Sequence, residues 1–205
     1  MKKILLALLL VILAVVGFYW YKFSNAATAD SGPKQQALTL KKHSDVFNLS
    51  VSDAMNAYFE MKDAFVNADT AKAKEGCRKF IELFDSIPMV ELKKDTLNIY
   101  DAAMAEHSNI KSNAESLLKQ NDITEMRKDF KAVSENLYPS FFRMINYEGE
   151  KMYWQNCPMA FGEDKEANWI SKTVEVINPY LGKNHPEFKA TMLNCGSIKD
   201  TIKAR

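Results

Sequence analysis

Val51-Ser52-Asp53-Ala54-Met55-Asn56-Ala57-Tyr58-Phe59-Glu60-Met61-Lys62-Asp63-Ala64-Phe65 is the stretch that decides the fold class. Val51, Met55, Tyr58, Met61 or Lys62, and Phe65 recur at three-to-four spacing, which places them on one face of an α-helix. Ser50-Val51-Ser52-Asp53 has the form of a capping box, in which the serine oxygen meets a free backbone N–H three residues on. Asn67-Ala68-Asp69-Thr70 breaks the pattern and recaps it. A second helix carries Ala73, Cys77, Phe80, Ile81, Phe84 and Ile87 on one stripe, and Pro88 stops it. A third pattern over residues 90–118 runs through Leu92, Thr96, Ile99 or Tyr100, Ala103, His107, Ile110, Ala114 and Leu117. Asn121-Asp122 separates it from a fourth, with Ile123, Met126, Phe130, Val133, Leu137, Phe141 and Ile145, which Pro139 kinks or divides. Four helices joined by short loops specify an antiparallel up-down bundle over residues 49–148.

Composition agrees with helix. Among 205 residues there are only 7 Gly and 6 Pro, too few for a turn-rich sheet protein. Lys+Arg 27 against Asp+Glu 26 leaves almost no net charge, and no basic block is interleaved with aromatics, so nothing calls for nucleic acid. His107 lies on the apolar seam of the third helix and reads as a core group hydrogen-bonded to a backbone or hydroxyl partner. No second His or carboxylate follows four residues on to make a helical metal pair. Cys77 reads as a small buried hydrophobe and the unpaired thiol. The sequence lacks a Gly-rich phosphate loop, His-Glu-x-x-His, a nucleophile elbow and Cys-x-x-Cys, so no enzyme is expected.

Toward the N-terminus, Met1-Lys2-Lys3 opens a basic start, and residues 4–20 form an uninterrupted apolar run ending in aromatics. The run exceeds a signal-peptide core of roughly 7–15 residues and approaches the roughly 20 that span a bilayer. Residues 1–23 are therefore expected to be a retained signal-anchor, with Ser24-Asn25-Ala26 as the alternative cleavage site. The inner membrane would then be a partner. Either way the remainder is expected in the cell envelope, as a periplasmic domain anchored to the inner membrane or released after cleavage. Residues 24–48 are polar, contain Gly32-Pro33 and read as a linker.

Toward the C-terminus, residues 149–205 lose the helical period and are expected to form an irregular or small β segment packed on the bundle. Tyr153-Trp154-Gln155-Asn156-Cys157-Pro158-Met159-Ala160 is answered by Met192-Leu193-Asn194-Cys195-Gly196. Pro158 pushes Cys157 toward extended backbone, where residues two apart share a face, so the sulfurs of Cys157 and Met159 can meet one target. Met192 and Cys195 share a side if a turn forms there, and Gly196 suits its exit. Residues 167–171 and 174–180 look like a short strand or two with an Asn-Pro turn. Thiolate plus thioether is a ligand set for Cu(I), and thiolates also suit zinc. Two cysteines about forty residues apart in an exported chain also make a structural disulfide. Both alternatives stand on the residues alone.

Cys157-Pro158-Met159-Ala160, Trp169-Ile170-Ser171, Ile177-Asn178-Pro179-Tyr180 with Gly182, Met192-Leu193 and Cys195-Gly196 resemble the domain-of-unknown-function family numbered 3347. The resemblance extends over about residues 48–202 and includes the helical opening at Ala54. It implies a bacterial envelope protein, of a family also found fused to periplasmic adaptor subunits of heavy-metal efflux pumps. It thus implies a non-catalytic copper-binding accessory module with Cys157, Met159, Met192 and Cys195 as metal group and an efflux component as partner. Residues 183–191 are longer than the family pattern, and His185 among them is a further candidate ligand. The other reading is a structural or interaction module in which Cys157–Cys195 is a disulfide staple.

Overall fold

The computed structural model describes residues 42–95 and 99–203, together with Val15, Val16 and Phe18. The chain divides into two units, Met1–Thr39 and Leu40–Arg205. Of the first, only those three residues are described, helical and exposed. The anchor or signal helix expected at residues 1–23 otherwise lies outside the described residues, as does most of the linker at 24–48. Among the described residues no helix is long and apolar enough to cross a membrane. The expected anchor, the inner membrane as partner and an inner-membrane-anchored location are therefore not supported by the described residues, whose long helices carry charge on their solvent faces.

The second unit is the helical bundle with a small sheet. Helix α1, Asp45–Val66, begins within the stretch read as linker, five residues before the serine expected to cap it. Ser44 is the N-cap: its side chain accepts the Phe47 N–H at 3.1 Å. Glu91 holds that serine in turn, accepting hydrogen bonds from its hydroxyl and, at 3.1 Å, from its backbone N–H. The partner that fixes the cap thus arrives from 47 residues away. Beyond α1, Ala68 turns with φ 56° and Asp69 caps α2, Thr70–Asp85, by accepting the Lys72 N–H.

Gly76 lets α1 and α2 approach backbone to backbone, since a Cβ there would lie 2.9 Å from the Met61 nitrogen. After Pro88 a 3₁₀ turn, Met89–Lys94, leads to α3, Ile99–Lys119. Asp122 caps α4, Ile123–Glu135, accepting the Thr124 and Glu125 N–H groups. The expected division at Pro139 is present. Tyr138 leaves helical geometry (φ −131°, ψ 133°) within a wide turn, Asn136–Phe141, before the short α5, Phe142–Met144.

Successive helices pack on one another, and α4 closes the bundle against α1 through Tyr58 and Phe65, both in ring contact with Phe130. His107 is stacked on Phe84, with centroids 4.3 Å apart, and its Nε2 lies 3.0 Å from the Phe84 carbonyl. Cys77 is buried and donates to the Ala114 carbonyl at 3.2 Å.

Three antiparallel strands follow: β1, Met152–Cys157, β2, Ala167–Ser171, and β3, Ser197–Ile202, in the order β2-β1-β3. The second stretch expected as strand, around Val174–Ile177, is not one. The third strand comes instead from Ser197-Ile198-Lys199-Asp200-Thr201-Ile202, an exposed edge whose charges hide its alternation. The sheet joins the helices through side chains. Tyr58 Oη sits 2.7 Å from Ser134 Oγ and accepts the Ile170 N–H at 3.0 Å, so one buried phenol ties α1, α4 and β2. Asn168 donates to Glu135, and Tyr138 donates to Asp200.

Gly76→Ala tests the α1–α2 approach. Alanine should favour the helix by up to about 1 kcal/mol. Crowding against Met61 should outweigh that gain and leave a net loss of about 1–2 kcal/mol in urea unfolding. Glu91 supplies a pH test. The Ser44 hydroxyl, chiefly, holds its carboxyl down to about 2 from an ordinary 4.5. A depressed folded-state pKa stabilises fully above the unfolded value and is lost as pH falls through the folded one. Glu91→Gln should therefore be less stable than the parent at pH 7, and the gap should close between pH 4.5 and 2.

Candidate functional site

Strand β1 ends where the chemistry begins. Cys157 is its last residue, fully buried, and Pro158 has no N–H with which to continue the ladder. The second cysteine is brought in by a turn after a long loop: the Leu193 N–H meets the Ala190 carbonyl and the Cys195 N–H the Met192 carbonyl, at 3.1 and 3.0 Å. The two sulfurs lie 3.0 Å apart. Cys195 is half-buried, and burial followed by the neighbouring thiol pushes its pKa up to about 12. Burial likewise lifts Cys77, which is fully enclosed, to about 12.

Asn178 sets this geometry. It is wholly buried, and its side chain serves both sides of the turn. Nδ2 donates to the Cys195 carbonyl at 2.8 Å, while Oδ1 accepts the Tyr180 and Leu181 N–H groups at 2.8 and 3.1 Å. Its backbone N–H donates to Leu193, and Asn194 returns a bond to Val176 at 2.7 Å. Gly196 completes the approach. Its φ of +142° suits glycine, and a Cβ would stand 2.5 Å from the Asn156 carbonyl, one residue before Cys157. Gln155 pins the strandless stretch by donating to the Thr173 and Glu175 carbonyls. The Asn-Pro pair announced a turn, but neither the reach of Asn178 to Cys195 nor the role of Gln155 had a local signal.

Two of the four sulfur-bearing residues expected to converge, Cys157 and Cys195, are in contact. Met159 lies in a turn rather than an extended strand and lines a cleft with Phe161, Tyr180 and His185. Met192 is partly buried against the core. His185 is occupied locally: its Nδ1 accepts the Glu187 and Phe188 N–H groups at 3.3 and 3.2 Å, and its ring stacks on Phe188.

Among the described residues no group of three or more His, Cys, Asp or Glu side chains could hold a metal ion. The pair geometry argues the same way. Sulfurs 3.0 Å apart, each about 2.3 Å from a shared ion, would subtend only about 80° there, far below the tetrahedral angle of about 109°. The expectation of a Cu(I) cofactor, and with it a copper-binding accessory function in heavy-metal homeostasis or efflux, is therefore corrected in favour of a thiol pair close to bonding distance.

Residues 54–145 match the family described as protein of unknown function (DUF3347). The match covers most of α1 through Ile145 and stops before β1, so the cysteine pair lies outside it, whereas the sequence resemblance was drawn through residue 202. No curated protein and no solved structure matches the chain.

Asn178→Ala should strand the Cys195 carbonyl and the Tyr180 and Leu181 N–H groups. Each buried orphan costs about 1–3 kcal/mol, so a loss on the order of 3 kcal/mol is expected in chemical denaturation. Asn178→Asp keeps the acceptor and should lose less.

Proposed function

We propose that this chain is a non-catalytic structural or interaction module, in which a helical bundle is stapled to its C-terminal sheet by a Cys157–Cys195 disulfide. The 3.0 Å approach of the two sulfurs carries this reading. A disulfide needs about 2.05 Å, a shift of roughly 1 Å from the thiol pair. The rigid ends favour that small closure: Cys157 terminates a paired strand, and Cys195 is held through Asn178. The bond would bridge 38 positions of chain. Restricting a loop of that length in the unfolded state is worth about 4 kcal/mol in the chain-entropy account. Such a bond persists in an oxidising compartment.

The lack of acid–base or nucleophilic motifs in the sequence supports docking over chemistry. The family's occurrence in fusion with periplasmic adaptor subunits, implied by the sequence resemblance, supports it too.

Thiol counting tests the staple. Oxidised with a glutathione couple and then denatured, the protein should release one titratable thiol, Cys77, out of three cysteines. Reduction should lower unfolding stability by about 2–4 kcal/mol. Cys157→Ser and Cys195→Ser should resemble the reduced parent and gain nothing from oxidant. Three free thiols after oxidant treatment would overturn the reading.

A further inference from the structure

The turn after Cys157 and the loop before Cys195 also wall a cleft of about 340 Å³, separate from the sulfur pair. Its sides are apolar, formed by Met159, Phe161, Tyr180 and Phe188. Arg127 and His185 line it as well. The volume falls within the range of small-molecule sites, which combine apolar walls with a few placed polar groups.

Arg127 is the feature that needs an occupant. The residue is 5% exposed, and although the Asp122 carboxylate acts on it electrostatically, it forms no ion pair with a carboxylate among the described residues. Nε donates to the Pro179 carbonyl at 3.0 Å and Nη2 to the Phe65 carbonyl at 2.9 Å. These bonds use two of a guanidinium's five N–H groups. Burial lowers its pKa to about 10, which leaves it cationic at neutral pH. His185 supplies a second donor. Because Nδ1 accepts two backbone N–H groups, the neutral ring carries its proton on Nε2. Burial and then Arg127 depress its pKa and keep it neutral. Glu163 and Glu187, both exposed on the same cleft, disfavour a second negative charge on whatever enters.

We propose that this cleft binds a small organic monocarboxylate with an aromatic or branched apolar body, its carboxylate on Arg127 and His185 and its body between Phe161, Tyr180 and Phe188. The sulfur pair plays no part in this binding, so it stands or falls apart from the staple.

The test is calorimetric titration of the full chain with 3-phenylpropionate, its neutral amide and phenyl phosphate. It is paired with NMR of methionine methyl groups, the Met159 signal being assigned with Met159→Leu. The acid should bind and shift the Met159 methyl, and the amide should bind about 10-fold more weakly or not at all, because it forfeits the charge-assisted bonds. Phenyl phosphate should bind more weakly than the acid. His185→Gln should weaken the acid about 3–10-fold, and Phe161→Trp should block it, both with the parent's melting temperature. Arg127→Lys is a further variant, read only alongside its melting temperature, because Arg127 also holds the fold. Absence of any Met159 shift at tens of millimolar acid, equal binding of acid and amide, tighter binding of phenyl phosphate, or indifference to both His185→Gln and Phe161→Trp would overturn the proposal.

Discussion

A single guanidinium, that of Arg127, bridges the end of α1 and the loop that leads to the second cysteine. Every helix ends with carbonyls that have no partner inside it. At α1 these are met by α4 and the C-terminal segment: Arg127 reaches Phe65, the Lys183 N–H reaches Val66, and Asn184 reaches Asn67. The same arginine donates to Pro179, so loop and helix end are fixed to one group on α4. A cation near a helix C-terminus is also favoured by the helix dipole, which offsets part of the cost of burying it. Gly182 shows how close the docking is, since a Cβ there would lie 2.7 Å from the Val66 carbonyl. Without this junction Asn178 would have no fixed position from which to hold Cys195.

Tyr58 makes the matching junction at the other side of the sheet. Its hydroxyl meets the Ile170 N–H on the outer edge of β2 while contacting Ser134 on α4. An unpaired strand edge invites further strands, and here part of it is satisfied from the helical core. Burial raises the phenol's pKa, so the group stays a neutral donor and acceptor at any ordinary pH. The small sheet therefore depends on the bundle for hydrogen bonds as well as for apolar contact. That explains how three short strands, one of them exposed along most of its length, hold a defined register.

The sulfur chemistry follows from these junctions. Residue type alone allows both a copper site and a disulfide, because the same thiols serve each. Distance separates them. Two sulfurs that share an ion keep apart, whereas two that bond come close, and the observed spacing lies on the bonding side. The methionines that made copper attractive do other work: Met159 walls a cleft and Met192 packs on the core.

Helical periodicity in the sequence determined the four helices, the stops at Pro88 and Pro139 and the burial of Cys77 and His107, because an apolar stripe and a proline act within a few residues of themselves. The true start of α1 was not legible, since Ser44 is secured by Glu91 across the bundle, while Ser50 offered an equally good local cap. The strand Ser197–Ile202 was hidden because an exposed edge needs no alternation. The meeting of Cys157 with Cys195 was expected from the residues, whereas the reach of Tyr58 to β2 and that of Arg127 to Phe65 and Pro179 were decided only by the tertiary structure. Each depends on where a buried polar group finds its partner, and that partner lies dozens of residues away in the chain.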